Sequence, residues 1–296
     1  MANRRVEKKS SQTASYTCFS RGCATREKEA LFRGPDTLAE RLFPPAATLM
    51  LNVAPLRKLL LKRMFPPGIH EYVLARTKVM DAAFVQAMEA HFDQIILLGA
   101  GFDTRAERFA GYNRGTRIIE LDAPPTQTAK LEQFARRKID IPPLVQFAPI
   151  DFDRQSMADV LAQAGFRVGC RNLFLWEGVS MYLTAEAVDA TLAFIHDASA
   201  PGSRVVFDYI YAAVLRGELR YYGQENAYKM VKDVGEGWTF GLEEGQIGPF
   251  LSQRGFTMLA HYSPADLQRL YLTRPDGSLY SRINGTHCIV DAEVKV

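Results

Sequence analysis

Short apolar runs alternate with helical patterns through the middle of this chain. Five such runs predict β-strands, at residues 94–98, 116–121, 144–149, 172–176 and 203–209. The helical patterns between them begin near Thr104, Pro125, Arg154 and Thr184. Strands that alternate with helices in this way indicate an α/β fold with a parallel sheet covered by helices on both faces.

The pattern changes on both sides of this core. Residues 16–90 read as a helical cap, and residues 1–15 are polar and basic, which predicts a disordered tail. Tyrosine, glycine and charged residues interrupt the alternation at 210–245. The final part, 246–296, predicts strands at 255–262 and 285–292 around a helix at 264–271. We therefore expect one domain over 16–296, with the core at 94–209.

Composition narrows the class of protein. The 296 residues carry a net charge of +3, and 47% of them are hydrophobic. This balance does not favour a nucleic-acid or membrane partner. The four cysteines lack metal-site spacing, and no signal peptide or membrane span is apparent, so we expect a cytoplasmic protein. The sequence does not indicate the oligomeric state.

The candidate chemistry lies where the predicted strands end. The first strand runs into Gly99-Ala100-Gly101, a turn in which bare backbone can approach a ligand. The next strand ends in acids, at roughly the distance where nucleotide-type folds hold ribose hydroxyls. Thr104 stands where a dinucleotide fingerprint has its third glycine, which favours an adenosyl ligand without phosphates over a pyrophosphate ligand.

Carboxylates dominate these strand ends. The candidate acids are Glu120, Asp122, Asp151 and Glu177, and no strand tip carries lysine or arginine. A phosphate site would favour cations there. Acids that accept from hydroxyl and amino groups suit S-adenosylmethionine, which we expect as the cofactor. Of Glu120 and Asp122, we expect Asp122 to bind and Glu120 to be structural.

Three segments in this order, LLGAGFDTRAERF, IELDAPPTQTAK and LFLWEGVSMYLTAEAV, carry a family resemblance. From about Thr13 to Asp291 the chain resembles the leucine carboxyl methyltransferase family, in particular its bacterial and polyketide-type O-methyltransferase branch. The resemblance implies the class I methyltransferase fold. This fold has a Rossmann-like, mostly parallel seven-stranded sheet with an N-terminal helical addition and a late helical insertion.

The same resemblance implies residue roles. Gly99, in one turn with Ala100 and Gly101, would lie against the methionine part of the cofactor. Asp122 would hold the ribose hydroxyls. Asp151 and Phe152 would lie at the adenine, although Asp151 also reads as a helix N-cap before Arg154.

The remaining candidates surround the methyl group. Glu177 would lie near the cofactor's amino group and the methyl site, and Arg76 would pair with the cofactor carboxylate. Arg76 could instead belong to a solvated helix face. Arg21 is a looser match for a similar basic residue. Glu177 and Tyr182, both after the fourth strand, are the candidate catalytic residues.

The function we expect is methyl transfer from S-adenosylmethionine to an oxygen of a small molecule. A carboxylate acceptor would need no base, whereas a hydroxyl would be helped by one. We expect all five histidines, including His70, His261 and His287, to be structural or superficial, which favours a carboxylate or acidic phenol. Methylation of a protein C-terminus and non-catalytic cofactor binding stay open. A nicotinamide-dependent reductase is disfavoured by Thr104, which stands where a dinucleotide fingerprint has its third glycine.

Residues after the fifth strand include several aromatic side chains. Tyr209, Tyr211, Tyr221, Tyr222, Tyr228 and Trp238 follow one another closely. They are compatible with ordinary packing of an added layer and with a lid over the acceptor.

Overall fold

A seven-stranded sheet forms the centre of the computed structural model, which describes residues 10–43, 48, 51–151, 154–233 and 237–295. The strands are β1 Gln94–Leu98, β2 Arg117–Asp122, β3 Val145–Pro149, β4 Asn172–Trp176, β5 Arg204–Ile210, β6 Phe256–Tyr262 and β7 His287–Val294. Their order is β3-β2-β1-β4-β5-β7-β6. β7 runs antiparallel to both β5 and β6, and the other pairs are parallel.

The central strands are apolar because both of their faces are covered. Every residue of β1 and β4 is buried, as expected for parallel strands between helical layers. Leu98 at the end of β1 lies opposite Leu121, and Leu97 lies opposite Leu175 of β4. This register brings the carboxyl ends of β1, β2 and β4 to one edge of the sheet.

Helices cover the sheet, and the N-terminal part of the chain before β1 is helical. The longer ones are α1 Gln12–Ala24, α2 Ala54–Met64, α3 Ile69–Glu89, α5 Pro124–Arg137, α7 Ala185–Ala198, α9 Gln224–Asp233 and α11 Pro264–Tyr271. The short ones are α4 Arg105–Arg108, α6 Met157–Gln163, α8 Ala212–Leu215 and α10 Ile247–Ser252. Side-chain caps define several starts: Ser11, Thr184 and Ser263 each accept a bond from a backbone N–H of the first turn.

The predicted strands agree with the structure to within two residues at each end, and the mixed α/β fold with a mostly parallel sheet is confirmed. Two local expectations were wrong. Helix α1 begins at Gln12, inside the segment predicted to be disordered, because Ser11 caps it. Helix α6 begins at Met157 with Ser156 as its N-cap, so Asp151 is not the cap of that helix.

The insertion after β5 contains α8 and α9 and then returns to the sheet. Tyr211 and Leu242 form an isolated bridge, and Leu242 N–H donates to the Ile210 carbonyl at 3.0 Å. No helix in the described part of the chain is long and apolar enough to cross a membrane.

Candidate functional site

The turn after β1 is shaped by two glycines in the left-handed region. Gly99 has φ 71° and Gly101 has φ 54°. The backbone N–H groups of Gly99 and Ala100 both donate to the Leu121 carbonyl at 2.9 Å, which ties the turn to β2. A Cβ built at Gly99 would lie 2.4 Å from Val179 Cγ2. The turn therefore requires glycine both for its backbone angle and for its close approach to the segment after β4.

Asp122 ends β2 directly beside this turn. Its carboxylate accepts hydrogen bonds from the backbone N–H of Gly101 and, at 2.6 Å, from that of Ala123. Burial raises the pKa of Asp122 to about 6, although both backbone bonds favour the ionised form. Its described hydrogen-bond partners are backbone donors, so this carboxylate is a buried acceptor with lone pairs left for hydroxyl groups.

Glu120 is two residues earlier and on the same face of β2, since alternate strand residues share a face. Its carboxylate contacts the Lys130 ammonium of α5, and both side chains are 1% exposed. Burial raises the pKa of Glu120 to about 8 despite that ammonium. The pairing with Lys130 agrees with a structural role for Glu120 and leaves Asp122 as the acid at the glycine turn.

Arg76 and Glu177 lie together at the carboxyl end of β4. Arg76, in α3, is 5% exposed and does not belong to a solvated face. Its guanidinium is 2.9 Å from a carboxylate oxygen of Glu177 and 2.8 Å from Asp208 Oδ2. Asp208 also accepts from the Tyr72 hydroxyl at 2.7 Å and from the Gly178 N–H at 2.6 Å.

A second guanidinium approaches Glu177 from the opposite direction. Arg105 Nη1 lies 2.8 Å from Glu177 Oε2, and Arg105 also pairs with Asp103 and with Asp81. Burial alone would raise the pKa of Glu177, but the Arg105 and Arg76 guanidiniums outweigh it and hold that pKa below its ordinary value. Glu177 is therefore ionised at neutral pH.

Arg21 connects α1 to the glycine turn. Its guanidinium donates to Asp36 Oδ2 at 2.8 Å and to the Phe102 carbonyl at 2.6 Å. Earlier in α1, Ala14 lies over the turn, since a Cβ at Gly101 would be 3.2 Å from Ala14 Cβ. Helix α1 thus covers the carboxyl ends of β1 and β2.

The other predicted residues lie at the edge of this group. Asp151 follows β3 and its carboxylate is 3.6 Å from Arg154 Nε. Tyr182 is half-buried in the short 3₁₀ turn Ser180–Tyr182 after β4. Phe152 lies outside the described residues.

The residues present fit a zwitterionic adenosyl ligand. Arg76 Nε and Glu177 Oε2 are at ion-pair distance from their partners, 2.9 Å from Glu177 Oε1 and 2.8 Å from Arg105 Nη1. One is a cationic donor and the other an anionic acceptor, which matches the carboxylate and ammonium of a bound amino acid. Beside them, the glycine turn offers backbone without side chains and Asp122 offers a buried acceptor. In the described chain no group of three or more His, Cys, Asp or Glu side chains could hold a metal ion.

Several charged residues at this site were missed from the sequence. Asp36, Asp81, Asp103, Arg105 and Asp208 all contact a candidate residue or its partner. The segment Asp103-Thr104-Arg105 directly after the glycine turn was the one available signal. Asp36, Asp81 and Asp208 come from distant segments, so no local spacing marks them.

The strand order, the glycine turn after β1 and the acid ending β2 define a class I S-adenosylmethionine-dependent methyltransferase. Leucine carboxyl methyltransferase is the family that matches, over residues 14–196. The chain belongs to this family, and it is an enzyme that uses S-adenosylmethionine.

Two bacterial relatives are also described as S-adenosylmethionine-dependent methyltransferases. The chain is 27% identical over 218 residues to "Putative S-adenosyl-L-methionine-dependent methyltransferase YktD" of Bacillus subtilis, covering 73% of this chain and 71% of the relative. It is 29% identical over 236 residues to a protein of the same description from Mycobacteroides abscessus, covering 76% and 72%.

A solved structure shares the fold. The crystal structure titled as that of a putative methyltransferase from Thermobifida fusca matches with a TM-score of 0.59. It covers 96% of this chain and 98% of the other at 15% sequence identity, so the likeness shows the fold alone.

Proposed function

We propose that this enzyme is an O-methyltransferase that transfers the methyl group of S-adenosylmethionine to an oxygen of a small molecule. The observation that carries the proposal is the Arg76–Glu177 ion pair at the carboxyl end of β4, where Arg76 Nε lies 2.9 Å from Glu177 Oε1. In an open α/β sheet, ligands bind beyond this end of the strands.

Each candidate residue has a proposed part in binding. Arg76 pairs with the carboxylate of the cofactor's amino acid part, and Glu177 with its ammonium. Gly99, Ala100 and Gly101 present backbone to the methionine chain, and Asp122 accepts from the ribose hydroxyls.

Further cofactor contacts are proposed for the outer residues. Asp151 lies at the adenine, for which the resemblance also implies Phe152, and Arg21 supports the glycine turn through the Phe102 carbonyl. Bound S-adenosylmethionine supplies an electrophilic methyl group on a positively charged sulfur.

The protein's contribution to catalysis is mainly position and electrostatics. Glu177 is ionised and held between two guanidiniums, so its orientation is fixed before any ligand binds. Tyr182, in the turn after Glu177, is proposed to line the methyl site. Helix α1 lies over the glycine turn, and this placement limits water there.

The proposed acceptor is a small molecule in the cytoplasm. Free thiols at Cys18, Cys23, Cys170 and Cys288 support a reducing compartment. The bacterial, polyketide-type branch resemblance supports a small acceptor over a protein C-terminus.

Transfer of labelled methyl groups tests the proposal. Purified protein is incubated with S-adenosylmethionine carrying a labelled methyl group and with paired aromatic hydroxyl and carboxylate compounds, and separately with a peptide ending in leucine. We expect label in small-molecule products. Mild alkaline treatment then separates methyl esters, which release methanol, from methyl ethers, which do not. Label in the peptide alone would contradict a small-molecule acceptor.

A further inference from the structure

A buried histidine and a buried tryptophan lie together near Arg76, one aromatic ring away from it. His287 begins β7 opposite Ile210, at the carboxyl end of β5, and is 6% exposed. Its ring centroid is 4.5 Å from that of Tyr72 and 5.3 Å from that of Trp238. Tyr72 in turn lies under the Arg76 guanidinium, 5.4 Å from its ring centroid. The histidine is thus one aromatic ring away from the arginine that pairs with Glu177.

The hydrogen-bond network around His287 fixes its tautomer. Asn284 Nδ2 donates to the Pro67 carbonyl at 3.0 Å, so Asn284 Oδ1 faces the other way, where it accepts from the Thr286 backbone N–H at 3.1 Å. The Thr286 hydroxyl donates to the same oxygen at 2.5 Å. With its proton committed there, that hydroxyl is an acceptor toward His287 Nδ1, at 2.6 Å.

His287 Nδ1 therefore carries the ring proton, and Nε2 carries a lone pair. Burial lowers the pKa of His287 to about 3, and the Arg76 charge acts in the same direction. The ring is neutral at physiological pH. Nε2 makes no hydrogen bond within the described chain and, unlike the Trp238 indole nitrogen, is not one of the fully buried unpaired atoms.

Trp238 supplies the complementary group. Its indole Nε1–H is buried and has no hydrogen-bond partner in the part of the chain that the structure describes. A buried indole N–H normally finds an acceptor. The segment next to Trp238 is held on the turn after β4, because the Thr239 and Phe240 N–H groups donate to the Met181 carbonyl at 2.7 and 3.2 Å. Trp238 is therefore fixed against the same turn that follows Glu177.

An acceptor, His287 Nε2, and a donor, Trp238 Nε1–H, together distinguish a hydroxyl from a carboxylate. A hydroxyl has one proton to donate and lone pairs to accept with, so it satisfies both groups at once. A carboxylate is ionised at neutral pH and only accepts, so its lone pairs would face that of Nε2. The rings of Tyr72 and Trp238, with Tyr211 stacked on Tyr221 at 4.8 Å nearby, favour a flat aromatic molecule.

We propose that His287 Nε2 and Trp238 Nε1 form the recognition pair for an aromatic hydroxyl, which is the methyl acceptor of this enzyme. This inference rests on the proposed methyl transfer and narrows its acceptor to a phenol. It departs from the expectation that His287 is structural, and of the two expected acceptors, a carboxylate or an acidic phenol, it selects the phenol. His287 is 6% exposed and Trp238 is 9% exposed.

Binding of a matched pair of probes tests the proposal. The probes are 1-naphthol and 1-naphthoic acid, which share one ring system and differ in the acceptor group. Protein labelled with ¹⁵N in histidine and tryptophan is first saturated with S-adenosylhomocysteine. The two tryptophans are Trp176 and Trp238, so a Trp176→Phe variant assigns the indole signal.

With 1-naphthol we expect a shift of the Trp238 indole signal, and we expect the His287 nitrogens to show the Nδ1–H tautomer.

His287→Phe keeps the aromatic packing and removes the lone pair, so it should weaken naphthol binding and raise the KM for naphthol about tenfold, with a smaller change in kcat. Trp238→Phe should act similarly and carries the same test if His287→Phe does not fold. His261→Phe is the matched control, since His261 Nε2 is already paired with the Tyr209 hydroxyl at 2.9 Å.

Three results would overturn the proposal. They are stronger binding of naphthoate than naphthol at Trp238, wild-type naphthol binding by His287→Phe, or no response of Trp238 to either probe. Calorimetry with S-adenosylhomocysteine on the same samples distinguishes failure of the proposed function from failure of the recognition pair. If that ligand does not bind, the proposed function fails; if it binds and naphthol does not, only the recognition pair fails.

Discussion

Arg76 and Glu177 face each other across the carboxyl end of β4, with Arg76 Nε 2.9 Å from Glu177 Oε1. They are 101 residues apart (177 − 76), and each has a second partner of its own: Asp208 for Arg76 and Arg105 for Glu177. The charges of these four side chains are thus balanced without a ligand. A preorganised pair of this kind can bind a zwitterion without first reorienting.

Glu177→Gln should weaken binding of S-adenosylmethionine about 10- to 150-fold, because a charged hydrogen bond is worth roughly 1.5–3 kcal/mol. The shape of the side chain is retained, so electrostatics is tested rather than packing. Calorimetry gives the affinity, and denaturant unfolding gives the free energy of unfolding.

Asp208→Asn is the matched control for Glu177→Gln. Asp208 also pairs with Arg76, but its carboxylate is fully buried and already accepts from Tyr72 and Gly178. We expect a loss of about 3–5 kcal/mol in unfolding free energy, as when one partner of a buried ion pair is removed. Cofactor affinity should change less than in Glu177→Gln. Equal affinities of Glu177→Gln and wild type would assign Glu177 a structural role.

Asp122→Asn should separate binding from stability. Because the pKa of Asp122 is raised to about 6 in the folded protein, burying its ionised form costs about 3 kcal/mol at neutral pH. The folded state binds more protons than the unfolded state between the ordinary pKa of 3.8 and 6. Stability contributed by this group therefore falls as pH rises through that range.

Relative to wild type, Asp122→Asn should lose this pH dependence and lose at least tenfold in cofactor affinity. Denaturation at several pH values between 4 and 7 measures the first effect, and calorimetry the second. Unchanged cofactor affinity would remove Asp122 from the site.

Glu120 and Lys130 offer a test of which acid of β2 binds the ribose. Lys130→Met leaves Glu120 buried without its ammonium, which should cost about 3–5 kcal/mol above pH 8, where Glu120 is ionised. The loss should be larger at pH 8 than at pH 5, since a protonated Glu120 needs no counter-charge. The double variant Glu120→Gln/Lys130→Met should recover most of the stability and bind cofactor like wild type. Weak cofactor binding by the double variant would point to Glu120 instead of Asp122.

The sheet could be predicted because its strands are nearly continuous apolar runs. β1 and β4 are buried on both faces, and their sequences contain few polar residues to blur the boundaries. The start of α1 was missed because its first turn is polar, and only the cap at Ser11 marks it. Helix propensity and apolar periodicity are weak predictors of a helix that covers a polar site.

The site was only partly predictable, for a different reason. Glycines and acids at strand ends are visible in a sequence, so Gly99 and Asp122 could be proposed as site residues from it. Glu177 is held by Arg76 and Arg105, and Arg76 is held in turn by Asp208. These three residues come from separate segments of the chain. His287 looked isolated because Tyr72 and Trp238, its neighbours in space, are far from it in the chain.

Gly99→Ala tests the glycine turn, and the chain offers a matched control in Gly169. Both glycines have φ near +70°, at 71° and 74°, so alanine is strained at either position. Left-handed backbone costs an alanine about 1–2 kcal/mol. At Gly169 a Cβ meets nothing within 4 Å, whereas at Gly99 it would meet Val179 Cγ2 at 2.4 Å.

Gly169→Ala should therefore lose about 1–2 kcal/mol of unfolding free energy and bind cofactor normally, whereas Gly99→Ala should lose more stability. The double variant Gly99→Ala/Val179→Ala removes the clash and should return to the stability of Gly169→Ala. If the cofactor lies against Gly99, the double variant should still bind it weakly, because the new methyl group stays in the turn. Calorimetry on all three variants decides this. Wild-type affinity in the double variant would mean that Gly99 is required for packing against Val179 and not for approach of the cofactor.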